Sequence, residues 1–266
     1  PLEGLKIFPI FCIPKNISIF IYYSIYALKK ENNNKLKIFS NILGGIYSYI
    51  HKNYIKSYKD FDQRVYYSFF YNLIYLLDQN PNDENILDSE YQKSNYLLKI
   101  YEILKLLTPI HYQLFSMAWL DLISCHHFIT NFLESTNHMK KKEKAEKNEK
   151  CEKYCLLIID ALIYLDSLGD KIITHYNYVL FLQKIYSFFF LLYNTYPEFI
   201  SNYYHLLIMN LSNNLSNYLQ LKNIILSASP HQDSEIPIFI DNDSNDDSNI
   251  PELLKKNANI LYDMKN

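Results

Sequence analysis

Apolar residues spaced three and four positions apart along most of the chain are the feature that most constrains its fold. This spacing is the period of one face of an α-helix, and alternation typical of strands is missing. The pattern predicts nine helices joined by short loops, over about 16–28, 35–58, 62–77, 89–107, 110–132, 156–168, 174–193, 197–207 and 218–228. Short links favour antiparallel neighbours, so we expect an all-α fold, a HEAT-like array of antiparallel helical hairpins without a strict repeat period.

Residues that favour helix ends stand where the apolar pattern starts and stops. Asp62 precedes the third helix as a candidate N-cap, and Ser89-Glu90-Tyr91-Gln92 has the form of a capping box before the fourth. Gly169 follows the sixth helix in the position that favours positive φ, and Pro197 suits a first helical turn. These local signals agree with the periodicity.

Composition excludes several other classes of protein. The 266 residues include only four glycines, too few for the turns of sandwiches or for a glycine-rich phosphate loop. The net charge of −2 gives no global electrostatic case for binding nucleic acid. Pro9, Pro14, Lys15 and Asn16 interrupt the most apolar stretch, so we expect no membrane span. Four cysteines indicate a reducing compartment rather than a disulfide scaffold.

Two segments depart from the apolar helical pattern and define the expected domain organisation. Residues 137–153 alternate lysine and glutamate, which is typical of a solvated helix extension or a disordered insert. Residues 241–249 contain only Asp, Asn and Ser. We therefore expect one helical scaffold domain over 1–230, with the charged insert, and an acidic, partly disordered tail over 231–266 in which 253–264 can form a short amphipathic helix. The start, without an initiator Met, is typical of a fragment of a longer chain.

A group of cysteine and histidine residues is the best candidate for chemistry. It comprises Cys125, His126, His127, His138, Cys151 and Cys155. Zinc sites usually show closer paired spacing, and three consecutive residues on a helix point in different directions. Ser124 and Cys125 also lack the sharp glycine turn that presents a nucleophile. We therefore predict no catalytic residue, no metal site, no cofactor and no enzyme activity, and expect core or surface roles for these side chains.

Three segments carry a resemblance to a known family. They are 119–126 (Trp-Leu-Asp-Leu-Ile-Ser-Cys-His), 196–200 (Tyr-Pro-Glu-Phe-Ile) and 220–230 (Gln-Leu-Lys-Asn-Ile-Ile-Leu-Ser-Ala-Ser-Pro). In this order and at these separations they resemble the C-terminal homology domain of the Not-one scaffold subunit of the Ccr–Not deadenylation complex. The third is similar to that family's Gln-Leu-Arg-Asn-Leu-Ile-Leu-Ser-Ala-Phe-Pro. Lys222 stands for Arg and Ser229 for Phe.

The resemblance implies a HEAT-like scaffold that anchors other proteins. Its implied partners are the Not-two and Not-three (or Not-five) subunits and short peptides of RNA-binding repressors. Deadenylases and mRNA would associate only indirectly, without direct nucleic-acid binding. The implied setting is the cytoplasm, in mRNA-processing granules, and also the nucleus. The candidate partner-binding residues are Glu198, Phe199, Gln220, Leu221, Asn223, Ile224 and Pro230.

Two further readings of the sequence stay open at this stage. An unrelated helical-repeat adaptor of the transport-receptor or vesicle-coat type would show the same helices. A helical metalloenzyme would use the cysteine and histidine group. The position of residues 220–230 relative to a partner groove discriminates the first of these from the scaffold, and a metal analysis discriminates the second.

Overall fold

The structure is a computed structural model that describes residues 8–28, 32–56, 58–79, 90–133, 141–169, 175–211 and 218–228. Within these ranges the chain forms ten α-helices and no strand, which confirms the all-α prediction. The helices are α1 Phe8–Ala27, α2 Asn32–Lys56, α3 Gln63–Asp78, α4 Glu90–Leu106, α5 Ser116–Ile123, α6 His126–Leu133, α7 Lys141–Leu168, α8 Tyr176–Thr195, α9 Pro197–Met209 and α10 Leu219–Ser227. Short 3-10 helices cover Tyr58–Asp60 and Gln113–Phe115. None of the described helices is long and apolar enough to cross a membrane.

Helices pack mainly on the second helix along the chain. Contacts join α1 to α3, α2 to α4, α3 to α5, α4 to α6, α7 to α9 and α8 to α10. Direct neighbours also touch, as α3 does with α4 and α9 with α10. Stacked helical hairpins produce this combination, because each new pair lies on the previous one. The arrangement is that of a helical array, and the unit that contains all ten helices ends at Ser229.

Aromatic side chains fill much of the core. Trp119 is fully buried, and its indole Nε1 donates a hydrogen bond of 2.8 Å to the carbonyl oxygen of Leu104 on α4. Tyr164 and Phe181 meet edge to face with ring centroids 5.0 Å apart, joining α7 to α8. Large rings with satisfied polar atoms bury more apolar area per residue than aliphatic side chains do. Together with the buried aliphatic residues, these rings form one core cluster that extends from α1 to α10.

Helix ends follow the local signals in the sequence. Asp62 caps α3, since its Oδ1 accepts the backbone N–H of Arg64 at 3.1 Å. Gly169 follows α7 with φ of 49°, a conformation that is costly for residues with a Cβ atom. Pro197 occupies the first turn of α9. These three predictions are confirmed, whereas Ser89 of the predicted capping box lies outside the described residues.

The prediction of a single helix over 110–132 is wrong, because the helix is interrupted at Ser124 and Cys125. The Cys125 carbonyl accepts the backbone N–H groups of Phe128 and Ile129, each at 3.0 Å, and so starts α6. The hydroxyl of Tyr154, on α7, donates to the free Ile123 carbonyl at 2.8 Å. A buried helix end needs such a partner. That partner lies 31 positions along the chain, beyond the reach of local periodicity.

Three other boundaries also differ from expectation. α1 starts at Phe8 rather than after Asn16 and continues through Pro14, which lies inside the helix. A helical proline costs about 3 kcal/mol, and the extensive packing of α1 on α3 offsets that cost. α2 already includes Asn32, which lies between the first two predicted helices. The charged residues 141–153 form the first half of α7, so they are a helix extension.

The buried hydroxyl of Tyr154 generates a test of this account. We expect Tyr154→Phe to lower the free energy of unfolding by about 2 kcal/mol, because it leaves the Ile123 carbonyl buried without a donor. Urea unfolding followed by fluorescence of Trp119, the single tryptophan, measures the change. Tyr176→Phe is the control, since Tyr176 is 75% exposed. Equal effects of the two variants would contradict the role given to Tyr154.

Candidate functional site

The last three helices pack as one group at the end of the described chain. α10 contacts both α8 and α9, and α9 also contacts α7. Leu221 and Ile225, four residues apart, are fully buried and form the inner face of α10. Just before this helix, the hydroxyl of buried Tyr218 donates to the Leu165 carbonyl on α7 at 2.9 Å. These contacts fix which side of α10 faces outward.

The outward side of α10 combines apolar and hydrogen-bonding groups. Leu219 is 59% exposed and Leu226 41% exposed, one helical repeat of seven residues apart. Gln220 and Asn223 are exposed between them. We call these four residues the α10 face. Leucines can bury apolar side chains of a peptide while side-chain amides bond its backbone, so the α10 face suits an extended segment.

Neighbouring helices expose further apolar side chains. On α9, Leu206 is 48% and Met209 80% exposed. On α8, Phe190 is 61% and Leu191 41% exposed. Large apolar side chains are thus exposed on each of the three helices that pack together. The group α8–α10 therefore offers more apolar surface than the α10 face alone.

The structure separates the predicted partner-binding residues into exposed and buried ones. Glu198, Gln220 and Asn223 are exposed, and Ile224 is half-buried. Phe199 and Leu221 are buried in the core, with the Phe199 ring 5.8 Å from that of Tyr154. Pro230 lies outside the described residues. In this structure the role of Phe199 and Leu221 is packing, and partner contact stays a prediction carried by the exposed members.

Sequence reasoning did not select the exposed leucines and methionine of this group. The spacing of apolar residues in the sequence does not distinguish Leu206, Met209 and Leu219 from core residues. Because α8, α9 and α10 are apolar on more than one side, only the packing shows which side is covered. A usable signal was present in α10, whose apolar residues occupy more than one stripe.

A polar cluster joins three helices at the C-terminal end of α3. The carboxylate of Asp78 accepts Lys93 Nζ at 2.6 Å and Asn131 Nδ2 at 3.1 Å through Oδ1, and His127 Nδ1 lies 2.6 Å from Oδ2. Burial raises the pKa of Asp78, but the bonds from Lys93, His127 and Asn131 together outweigh it and leave the pKa below its usual value. The carboxylate is thus ionised at neutral pH and accepts hydrogen bonds only, so Nδ1 of His127 carries the proton.

The Asp78 cluster is built for holding helices rather than for catalysis. Lys93 also donates to the backbone carbonyl of Asp78 at 3.2 Å, satisfying one of the free carbonyls at the end of α3. Asn131 Nδ2 also donates a hydrogen bond of 2.7 Å to the His127 carbonyl. Every carboxylate oxygen is therefore engaged by α4 or α6.

The cysteines have the protonation expected of core residues. Burial is the main reason that the pKa of Cys125 rises to about 11 and that of Cys155 to about 12. A thiol must lose its proton to act as a nucleophile, so these groups are inactive near neutral pH. Within the described residues no three His, Cys, Asp or Glu side chains group closely enough to hold a metal ion. His138 lies outside that part of the chain.

Comparisons with known proteins agree with the architecture. The family model described as "CCR4-Not complex component, Not1" matches residues 76–266. The solved NOT1 superfamily homology domain from Chaetomium thermophilum aligns with a TM-score of 0.71 and 17% identity, over 88% of this chain and 42% of that one. A Not1 C-terminal domain in complex with Not4 aligns with a TM-score of 0.65 and 24% identity, over 84% and 42%.

These structural matches carry the fold alone, since both identities are low. The chain spans less than half the length of either solved chain. No curated protein sequence matches it significantly.

The Asp78 cluster generates a pH-dependent prediction. We expect Asp78→Asn to lower the free energy of unfolding at pH 7 by about 2 kcal/mol, because it removes charge-assisted bonds at a half-buried site. The folded pKa of Asp78 lies below its ordinary value of 3.8. Its stabilisation is therefore complete above that pH and is lost as the pH falls through the folded pKa. Urea unfolding at stepped pH values measures the convergence of wild type and variant.

The control for this prediction is Asp166→Asn, an exposed carboxylate on α7 that forms none of the described ion pairs. It should change stability by less than about 0.5 kcal/mol. A wild type and an Asp78→Asn variant that stay equally far apart in stability down to the lowest pH would contradict the assigned role of the carboxylate.

The raised pKa values of two thiols generate a second prediction. At pH 8 we expect iodoacetamide to leave Cys125 and Cys155 unmodified in the folded protein and to alkylate both after unfolding in urea. The reason is that their raised pKa values keep both thiols protonated, and that Cys155 is in addition buried. Peptide mass spectrometry reads each cysteine separately. Rapid labelling of Cys125 in the native state would show a reactive thiol.

Proposed function

The chain belongs to the family of Not1, a component of the CCR4-Not complex, and we propose that it is a non-catalytic scaffold domain that binds other subunits of that complex. Residues 76–266 carry the family match, which covers most of the chain. A helical array presents long surfaces without needing an active site, which suits assembly of several partners. The protonated thiols and the fully engaged Asp78 carboxylate support a role without catalysis.

The observation that carries the proposal is the position of the third motif on α10. Residues 220–227 of that motif form most of this helix, and its outer side is the α10 face. Burying an exposed leucine side chain contributes about 1 kcal/mol or more, according to the area covered. The two leucines of the α10 face would therefore contribute affinity for a bound partner segment, and the two side-chain amides between them would fix its position along the helix.

The partners that fit best are extended segments of the Not-two and Not-three (or Not-five) subunits. A Not1 C-terminal domain solved in complex with Not4 adds that subunit to the candidates. Short peptides of RNA-binding repressors would use the same surface and compete with these segments. Through them the scaffold supports mRNA deadenylation, decay and translational repression, in cytoplasmic mRNA-processing granules and also in the nucleus.

Affinity purification of the full-length protein from its own cells tests the proposed function. We expect Not-two, Not-three-type and Not4-type subunits to co-purify in stoichiometric amounts, together with deadenylase subunits. Recovery of transport-receptor or coat proteins in their place would support the alternative helical adaptor and overturn the scaffold proposal.

The α10 face gives the corresponding mutational prediction. We expect the double variant Leu219→Gln with Leu226→Gln to weaken binding of a purified partner segment at least about tenfold, which corresponds to about 1.4 kcal/mol. Folding should change little, since both leucines are 41% or more exposed. Isothermal titration calorimetry measures affinity, and urea unfolding measures stability.

The matched control is Leu156→Gln with Ile163→Gln on α7. These side chains are also seven residues apart and are 44% and 39% exposed. Their replacement should leave the affinity unchanged. A similar loss from both double variants would show that the segment does not bind at the α10 face.

A further inference from the structure

Helix α2 differs from the rest of the chain in its charge. It contains four lysines and neither aspartate nor glutamate, in a protein whose net charge is −2. Lys37, Lys52 and Lys56 are exposed. Elsewhere Lys93, Lys99, Lys105, Lys153 and Lys184 each pair with a carboxylate. The three exposed lysines of α2 take part in none of the ion pairs found among the described residues.

These lysines share one side of α2 with small and apolar side chains. Positions 37, 41, 45, 48, 52 and 56 follow one another at intervals of three and four, which is the spacing of a single helix face. At 1.5 Å per residue, this face extends roughly 28 Å from Lys37 to Lys56. Tyr49, 65% exposed, and Ile55, 66% exposed, lie on either side of Lys52. We call this side of the helix the α2 face.

Two adjacent glycines lie in the middle of α2, and nothing among the described residues gives a steric reason for them. A Cβ atom added at Gly44 or Gly45 would meet nothing within 4 Å. Glycine in a helix interior costs about 1 kcal/mol relative to alanine. The protein has only four glycines, so this pair is a notable departure from its composition. Absence of a side chain is useful where the backbone of another molecule approaches closely.

We propose that the α2 face docks an acidic segment of another protein, whose backbone lies against Gly44 and Gly45 and whose carboxylates pair with Lys37, Lys52 and Lys56. Complementary charge is the reason for an acidic partner, since the face offers lysine without any competing carboxylate on α2. Tyr49 and Ile55 would contact apolar side chains of the same segment. This site lies on a different helix from the α10 face and does not rest on the proposed function.

Two other occupants fit the α2 face less well. Proteins that hold a single nucleic-acid strand combine basic groups with several aromatic rings on which successive bases stack, whereas α2 exposes one large aromatic ring, Tyr49, beside an aliphatic Ile55. A second copy that used the same face would bring the lysines of both copies together. A protein segment with alternating acidic and apolar residues satisfies both the charge and the exposed apolar groups.

Zero-length crosslinking tests the occupant directly. Carbodiimide treatment of the full-length protein, purified from its own cells with its associated proteins, couples a lysine amine to a carboxylate only when the two are in contact. We expect mass spectrometry to find Lys37, Lys52 or Lys56 joined to an Asp or Glu of one identified different protein. Coupling of these lysines only within this chain, to a second copy, or to no carboxylate would overturn the proposal, as would ultraviolet crosslinking of the α2 face to RNA.

Variants then separate binding from folding. We expect Lys52→Glu to weaken binding of the crosslinked segment, made as a synthetic peptide, by about fivefold to thirtyfold, whereas Lys147→Glu on α7, with the same change in net charge, leaves it unaffected. Gly45→Ala should raise the midpoint of thermal unfolding, and Gly45→Gln should weaken binding while keeping the helix. Unchanged peptide affinity in both Lys52→Glu and Gly45→Gln would contradict the site.

The crosslinking and co-purification experiments distinguish failure of the α2 site from failure of the scaffold function. If the crosslinked acidic protein is no subunit of the CCR4-Not complex, the α2 site stands and the scaffold function loses support. If those subunits co-purify but no carboxylate couples to the α2 lysines, the scaffold function stands and the α2 site is overturned.

Discussion

The interruption between α5 and α6 is the constraint on which the rest of the array depends. α5 packs on α3 and α8, whereas α6 packs on α3, α4 and α7. These two short helices therefore connect the first helices of the chain with the last. The interruption is possible because the Tyr154 hydroxyl satisfies the Ile123 carbonyl in the core, where an unpaired carbonyl would be costly.

Most of the fold follows from local sequence rules, and its failures have a common cause. The helix period, the Asp62 cap, Gly169 and Pro197 all act through neighbours within a few residues, so sequence alone predicts them. The break at Ser124 and the continuation of α1 through Pro14 depend on tertiary contacts, with Tyr154 and α3 respectively. Periodicity contains no information about a partner that lies far along the chain. Such contacts decide the points at which local preference is overridden.

In the candidate site, too, the sequence predicts some features, whereas others depend on how the helices pack. The sequence selected Gln220 and Asn223, which are exposed. It also selected Phe199 and Leu221, which are buried, because a motif marks both core and surface residues. Packing against α8 and α9 determines which apolar side is covered, and the sequence of α10 by itself does not. Exposure of Leu219 is therefore a property of the assembled helices.

Lys93 holds the beginning of α4 to the last residue of α3, through both the carboxylate and the carbonyl of Asp78. The positions of these helices are thus set on either side of residues 80–89 and do not depend on the length of that connection. Lengthening a connection between fixed ends adds only a slowly growing entropic cost. Related proteins can therefore accumulate insertions of different length here during evolution without disturbing the array. For the same reason this connection is a natural place to introduce a fluorescent or affinity label.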